Sequence, residues 1–270
     1  MQAKLKNLIV RLMGWAGLRK SVSAVPKDYV SLDVTHGFVV VLTQFKRQNL
    51  ERQLEAVFQQ SVQPSKVFVF QNGEHVDLSP LRKRFDFELV HSTFNTKYFG
   101  RFAFCLGLSS EYFIVMDDDI IPGPRCFERY LSEAVRLNGI IGGNGRIAER
   151  NVFKPKLTHP PDIGLRSETT LVDFVGHVWV FNSQNLRDMF SVPVTTLDTG
   201  EDMHLCFSAK LRSGTSSYVC MQADPDESCD SSANTLSSDQ YASFNYTAPE
   251  SRVRVEEYFE SLGLSFIVEN

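Results

Sequence analysis

Three consecutive aspartates, Asp117-Asp118-Asp119, follow the apolar run Tyr112–Met116 without a break and lead into Ile120-Ile121-Pro122. Carboxylates gathered at the end of a buried strand repel one another. For a pair ~4 Å apart the repulsion is about 4 kcal/mol at an effective dielectric near 20, unless a cation or hydrogen-bond donors compensate. A divalent cation removes that cost. Oxygen-only ligands favour Mg²⁺ or Mn²⁺ over zinc, and such ions take one or two carboxylates together with substrate phosphates. The alternative is a solvated acidic turn, and the apolar residues on both sides of the triplet argue against it.

The elements that must hold the triplet alternate between strand and helix. Residues 38–42 (FVVVL) form a continuous β-branched apolar run, the mark of a strand covered on both faces. Asn49 is placed to cap a helix with Leu50, Leu54, Val57 and Phe58 on one face, closed before Pro64. Residues 67–70 predict a second strand, ending in Gln71-Asn72-Gly73, and complete a βαβ unit. A second cycle follows, with a strand over 87–90, a helix over 98–108 and the strand Tyr112–Met116. Pro122 and Pro124 then break the chain. The next helix carries Phe127, Tyr130, Leu131, Ala134 and Val135 and stops at Asn138-Gly139. This alternation predicts an α/β fold whose strand-end loops gather on one edge, where ligands of open α/β sheets bind.

Downstream the pattern is less regular. Residues 140–170, with Gly142-Gly143-Asn144-Gly145 and three prolines, read as loop-rich. Residues 171–175 and 178–181 read as strands around Gly176-His177, and Asn182 as the cap of a helix containing Leu186, Met189 and Phe190. Glu201-Asp202 open a helix with Met203, Phe207 and Leu211 on one stripe, ended by Gly214. Residues 223–248, rich in Ser, Asp and Asn, predict a mobile loop with the character of a lid. A last helix carries Val255, Tyr258, Phe259 and Leu262.

At 270 residues, 43% hydrophobic and 22% charged, the composition excludes collagen, disorder and a disulfide miniprotein. Residues 1–20 hold Lys4, Lys6, Arg11, Arg19 and Lys20 and no acid, so of the net charge of −4 the remaining chain carries −9. An acidic body argues against nucleic acid as a partner. In the basic stretch Leu5, Leu8, Ile9, Leu12 and Met13 make one helical face. It suits an interfacial helix in peripheral contact with anionic lipid, and equally a helix docked on the protein's own core or on another subunit. Residues 21–35 read as a linker and 36–270 as one domain. The apolar run over 12–18 is too short to span a bilayer or to serve as a secretory segment, so the expected location is cytoplasmic, including the cytoplasmic face of a membrane. Five cysteines without a CxxC are expected to be reduced.

A strand-end DxD occurs in haloacid-dehalogenase-like phosphatases, where it closes the first core strand and continues into Thr or Val; here it follows a complete βαβ unit, and Ile121 holds that position. The order of motifs over about residues 37–215 instead resembles the GT-A glycosyltransferases, especially the family 2-like group. FVVVL with TQFKR, FQQS before VFVFQNGE, Asn95, EYFIVMDDD with Pro122, VGHVWVFN, and Gly200-Glu201-Asp202 through Gly214 stand in that family's order. The resemblance implies a single GT-A, Rossmann-like, three-layer α/β/α domain with a mostly parallel sheet. Its nucleotide-binding half would be 36–122 and its acceptor-side half 123–270. Thr43, Phe45 and Arg47 would lie near base and ribose, with Gln71 and Asn72 in the turn that closes on the base. Gln71 stands where the family carries an acid. Asn95, Arg101, Asp117 and Asp118 would complete the donor site, Asp117 facing the ribose and Arg101 the phosphates. Asp119, with Asp117, would hold Mn²⁺ or Mg²⁺.

The resemblance further makes Asp202 the base, with Glu201 beside it. An inverting transfer needs a carboxylate to take the proton of the attacking hydroxyl, and a helix N-terminus favours the ionised form. His177 and His204 are further candidates to reach substrate or metal, and Trp179 to stack on a sugar, with core packing as the alternative for each. No Gln-x-x-Arg-Trp run follows the acidic pair, so the family analogy implies transfer of one sugar to a glycan or lipid-linked acceptor rather than processive synthesis. The triple Asp is also similar to that of exostosin-like hexosaminyltransferases, which retain configuration. A non-catalytic sugar- or nucleotide-binding protein is the rival from another class.

Overall fold

The computed structural model describes residues 37–73, 76–148, 167–231 and 249–267. The expected amphipathic helix over 1–20 and the linker over 21–35 lie outside these residues. The run FVVVL becomes β1 (Phe38–Gln44), buried through Leu42. It is followed by α1 (Leu50–Phe58), β2 (Lys66–Asn72), a short α2 (Ser79–Arg82), β3 (Glu88–Ser92), α3 (Gly100–Cys105) and β4 (Tyr112–Met116). Strand β1 pairs in parallel with β2 on one side and β4 on the other, and β2 pairs in parallel with β3. Leu50, Leu54 and Val57 of α1 are buried as expected, with Gln53 on the same stripe. Asn49 precedes this helix, but its side chain makes no capping hydrogen bond; it is buried instead. The helix expected over 98–108 is shorter, covering Gly100–Cys105.

The chain continues through β5 (Ile120–Pro122), α4 (Cys126–Leu137), β6 (Ile140–Arg146), β7 (Thr170–Val172), β8 (Phe174–Asn182), α5 (Ser183–Ser191), α6 (Glu201–Ser213), β9 (Ser217–Val219), β10 (Cys229–Ser231) and α7 (Pro249–Ser261). Eight strands form one sheet in the order β3-β2-β1-β4-β8-β6-β9-β7. Of these, β8 and β7 run against the other six, so the sheet is mixed and mostly parallel. Alternation along β1 sends Val39 and Val41 into a core shared with Phe102 of α3, Leu186 of α5, Phe207 of α6 and Phe259 of α7. Phe38 faces the other way, its ring 6.2 Å from that of Phe127 on α4. Helices therefore cover both faces of a single Rossmann-like α/β domain.

Three expectations for the second half are corrected. Residues 140–146 are not loop but the buried strand β6, lying between β8 and β9. Its glycines are steric: a side chain at Gly142 would run into Val175, one at Gly143 into Cys229 Sγ, and one at Gly145 into Val219. Strand β8 likewise runs unbroken through Gly176-His177, with His177 at φ +70°. The expected mobile loop begins as ordered chain, for Pro225–Glu227 form a 3₁₀ turn and β10 pairs antiparallel with β5; residues 232–248 lie outside the described residues. Asn182 does cap α5, in a full capping box. Among the described residues, which include all five cysteines, no disulfide forms, and no described helix is long and apolar enough to cross a membrane.

Candidate functional site

The triplet leaves β4 where the ladder to β8 ends. The Asp117 amide donates to the His177 carbonyl at 3.0 Å, and the Ile120 amide donates back to the Asp117 carbonyl at 3.4 Å. Gln53 locks this turn: its buried Nε2 donates to the carbonyls of Asp117 (2.7 Å) and Ile120 (2.8 Å). A glutamine on the apolar stripe of α1, between Leu50 and Val57, is the sequence signal by which it could have been found.

With the backbone fixed, the carboxylates part. Asp117 accepts from Nη1 of Arg101 at 2.5 Å, and Asp118 accepts from Nη1 of Arg47 at 2.5 Å, while Asp119 Oδ2 lies 3.7 Å from Arg47 Nη2. Arg101 is buried, at 4% exposure. Its guanidinium lies 4.6 Å from the Trp179 ring centroid, Nη1 also donates to Thr43 Oγ1 at 3.2 Å, and Nη2 donates to Glu201 Oε1 at 3.0 Å. One buried side chain thus joins the end of β1, the end of β4 and the start of α6. Burial works to lower the Arg101 pKa, and the charges of Asp117 and Glu201 outweigh it and hold it above its ordinary value.

Helix α6 begins here because Gly200 adopts φ +80°, a left-handed conformation open to glycine, with Val255 of α7 packed 3.0 Å from where a Cβ would stand. Glu201 turns inward to Arg101, and Asp202 turns to Arg252 of α7, whose Nη2 lies 2.7 Å from Asp202 Oδ2. The phenol of half-buried Tyr98 lies in the field of Glu201, Arg101 and Asp117, and burial raises its pKa. Neither Tyr98 nor Arg252 was legible as a site residue, since nothing in the local pattern aims either at this edge.

Other candidates fall elsewhere. Gln71 donates through Nε2 to Gln44 Oε1 and to the Val76 carbonyl, both at 2.9 Å, so an amide pair occupies the turn beside β1. Asn72 and Asn95 bond each other at 2.9 Å, and Asn72 Oδ1 takes the Thr96 amide at 2.7 Å; together they shape the loop before α3. Phe45 is half-buried beside Lys46, whose Nζ is 5.1 Å from its ring. His204 is a core residue: Nε2 contacts the Met189 and Val192 carbonyls, and its ring meets Phe99 and Phe259 edge-on. Trp179 is core as well, its Nε1 donating to the Val175 carbonyl and its face covered by Arg101.

Among the described residues no three His, Cys, Asp or Glu side chains converge as a ready-made metal cage. The acids at this edge nonetheless outnumber the guanidiniums they are seen to pair with. Among the described residues Asp117, Asp118, Asp119 and Glu201, four carboxylates, gather on two guanidiniums, Arg47 and Arg101. The carboxyls register that crowding. Burial, then the charge on Asp117, pushes Asp119 up to about 7 against the pull of Arg47. Burial, then the charge on Asp202, pushes Glu201 up to about 7 against the pull of Arg101. Burial also raises Asp118. All the donors are hard carboxylate oxygens, which fits Mg²⁺ or Mn²⁺.

No family model matches the chain, and no curated protein matches its sequence. Its fold recurs in TarS of S. aureus. The two superpose over 86% of this chain with a TM-score of 0.53 at 13% sequence identity. This chain spans only 40% of the length of that TarS structure. A structure of TarS residues 1–349 aligns over 70% of this chain and 58% of its own length, with TM-score 0.45 and 15% identity. Identity this low speaks to architecture alone.

Proposed function

We propose that the protein is a glycosyltransferase that moves one sugar from a nucleoside-diphosphate sugar to a hydroxyl of a glycan or lipid-linked acceptor, inverting the anomeric centre. The observation that carries this is the junction at Arg101. It ties the acidic triplet after β4 to the acidic pair opening α6, at the carboxyl edge of the parallel strands where α/β sheets take their ligands. Asp119 and Asp117 would hold Mn²⁺ or Mg²⁺, which when bound supplies positive charge against diphosphate oxygens.

The chain's own groups divide the remaining work. Arg47 keeps Asp118 and Asp119 in place, and Arg101 fixes Asp117 while spanning to α6. Asp202 accepts the acceptor's proton as its oxygen attacks, and the first turn of a helix favours the ionised carboxylate that this requires. Glu201, buried and bound to Arg101, positions that turn. A phosphatase-type nucleophile is disfavoured because the DxD follows a complete βαβ unit and Ile121 stands where that motif continues into Thr or Val.

The test is a panel of nucleoside diphosphates and their sugars, with and without Mn²⁺, read by thermal shift and by release of nucleoside diphosphate. One donor should stabilise the protein only with metal, and Asp119→Ala should lose the effect. Absence of any metal-dependent shift across the panel would overturn the proposal.

A further inference from the structure

Beside the candidate base lies a second concentration of positive charge that the donor side does not use. Arg146 ends β6, and its cross-strand partner on β8 is Phe174. Paired residues of adjacent strands project to the same face, so the Arg146 side chain leaves the sheet next to the Phe174 ring. Arg252 reaches the same ring from α7, its guanidinium carbon 5.4 Å from the centroid, before pairing with Asp202. Among the described residues the half-buried Arg146 guanidinium has no hydrogen bond or ion pair, and Arg252 Nε is buried without a partner.

Such an arrangement costs free energy unless an anion completes it, because a partly desolvated cation beside another cation is disfavoured. Burial works to lower the Arg252 pKa, but Asp202 and Glu201 outweigh it and hold it above its ordinary value, so the uncompensated charge of the pair is that of Arg146. Asp202 is shared with the α6 turn. Glu256, one helical turn beyond Arg252, is pushed up to about 7, chiefly by burial, and so loses part of its charge near neutrality. Burial first, and then the charge of Arg252, hold Arg146 below its ordinary pKa while Asp202 pulls the other way.

We propose that Arg146 and Arg252 form a seat for an oxyanion carried by the acceptor, a phosphate ester or a carboxylate, immediately beside Asp202. The inference rests on the transferase reading and narrows its acceptor from any glycan to an anionic one. An oxyanion seated between the guanidiniums shares Arg252 with Asp202 and loosens the ion pair that otherwise occupies the base. Arg fits this role because its planar fork meets two oxygens at once.

The experiment titrates glycerol 1-phosphate, glucuronate and glucose into the full chain by calorimetry, on wild type, Arg146→Gln, Arg146→Lys and Arg47→Gln. At least one of the anions should bind and glucose should not. Arg146→Gln should weaken that binding tenfold or more, Arg146→Lys should recover part of it, and Arg47→Gln should leave it unchanged. Phosphate and carboxylate sources are separated by which of the two anions binds. Binding equal in Arg146→Gln and wild type, binding lost in Arg47→Gln instead, or no anion binding at all would each overturn the seat. The Mn²⁺-dependent nucleotide shift is measured on the same samples and should survive Arg146→Gln. If the seat fails and that shift remains, the transferase proposal is untouched; loss of the shift in wild type sinks the broader proposal independently of the anion result.

Discussion

Asp117-Asp118-Asp119 and Glu201-Asp202 meet at one edge of the sheet, yet the first stretch leaves a strand and the second opens a helix, and their charges are balanced differently. Three carboxylates of the triplet have two guanidiniums near them, and one of these is shared with Glu201. On α6 Glu201 shares Arg101 with Asp117 while Asp202 pairs with Arg252, and the helix N-terminus adds further positive potential. The triplet therefore gathers more carboxylates than the guanidiniums paired with it. The helix pair draws on one shared and one separate guanidinium, and burial separates its two members. Glu201 has 8% of its side chain exposed and is bound to buried Arg101, while Asp202, at 15%, is the more exposed of the two.

The largest effect expected from this contrast is catalytic. Asp202→Asn should lower turnover by about 10²–10⁴, the usual worth of a general base, and leave metal-dependent nucleotide binding intact. Glu201→Gln should lower it far less. Equal losses in the two variants, measured in the same steady-state assay, would erase the distinction between base and positioning residue. Next is the junction. Arg101→Met strands Asp117 and Glu201 without their shared cation and should cost about 3–5 kcal/mol of stability, read as a lowered urea midpoint, with Arg101→Lys recovering part.

Asp119→Ala should remove the stabilisation by metal and nucleotide, about 2.7 kcal/mol at a hundredfold excess over the dissociation constant, without lowering the stability of the ligand-free protein. A fall in ligand-free stability would mean that Asp119 is a structural partner of Arg47 rather than an underused ligand. The last effect is on pH. Asp119 and Glu201 titrate near 7 in the folded protein, above their ordinary carboxylate values, so between about pH 4 and 7 the folded state binds more protons than the unfolded one. Stability should then fall as pH rises through that window. Added Mn²⁺ should flatten the fall, and a melting temperature that instead climbs from pH 5 to 7 would contradict the raised values of these two carboxyls.

Much of the first half was legible because its signals are local. FVVVL and YFIVM read as buried strands from their own residues, and Leu50, Leu54 and Val57 read as one face of a helix from spacing alone. The glycine run of β6 was read as loop for an equally local reason: glycine weakens a strand on its own account. Only the approach of Val175, Val219 and Cys229 makes its lack of side chains necessary there. Arg101 carries the same lesson at the site, since an arginine in a short Phe-rich helix carries no local mark of burial.

By itself the sequence determined that an acidic triplet would end a buried strand and that Glu201 and Asp202 would begin a helix closed by Gly214, because burial pattern, caps and breakers act over a few residues. Tertiary structure alone decided that these acids meet, and which of them face solvent. It also brought Arg252 onto the ring of Phe174, the cross-strand partner of Arg146. Those outcomes depend on strand order and on ion pairs such as Arg101 with Glu201, 100 residues apart, whose energy exists only once the sheet has assembled and water has been excluded from between them.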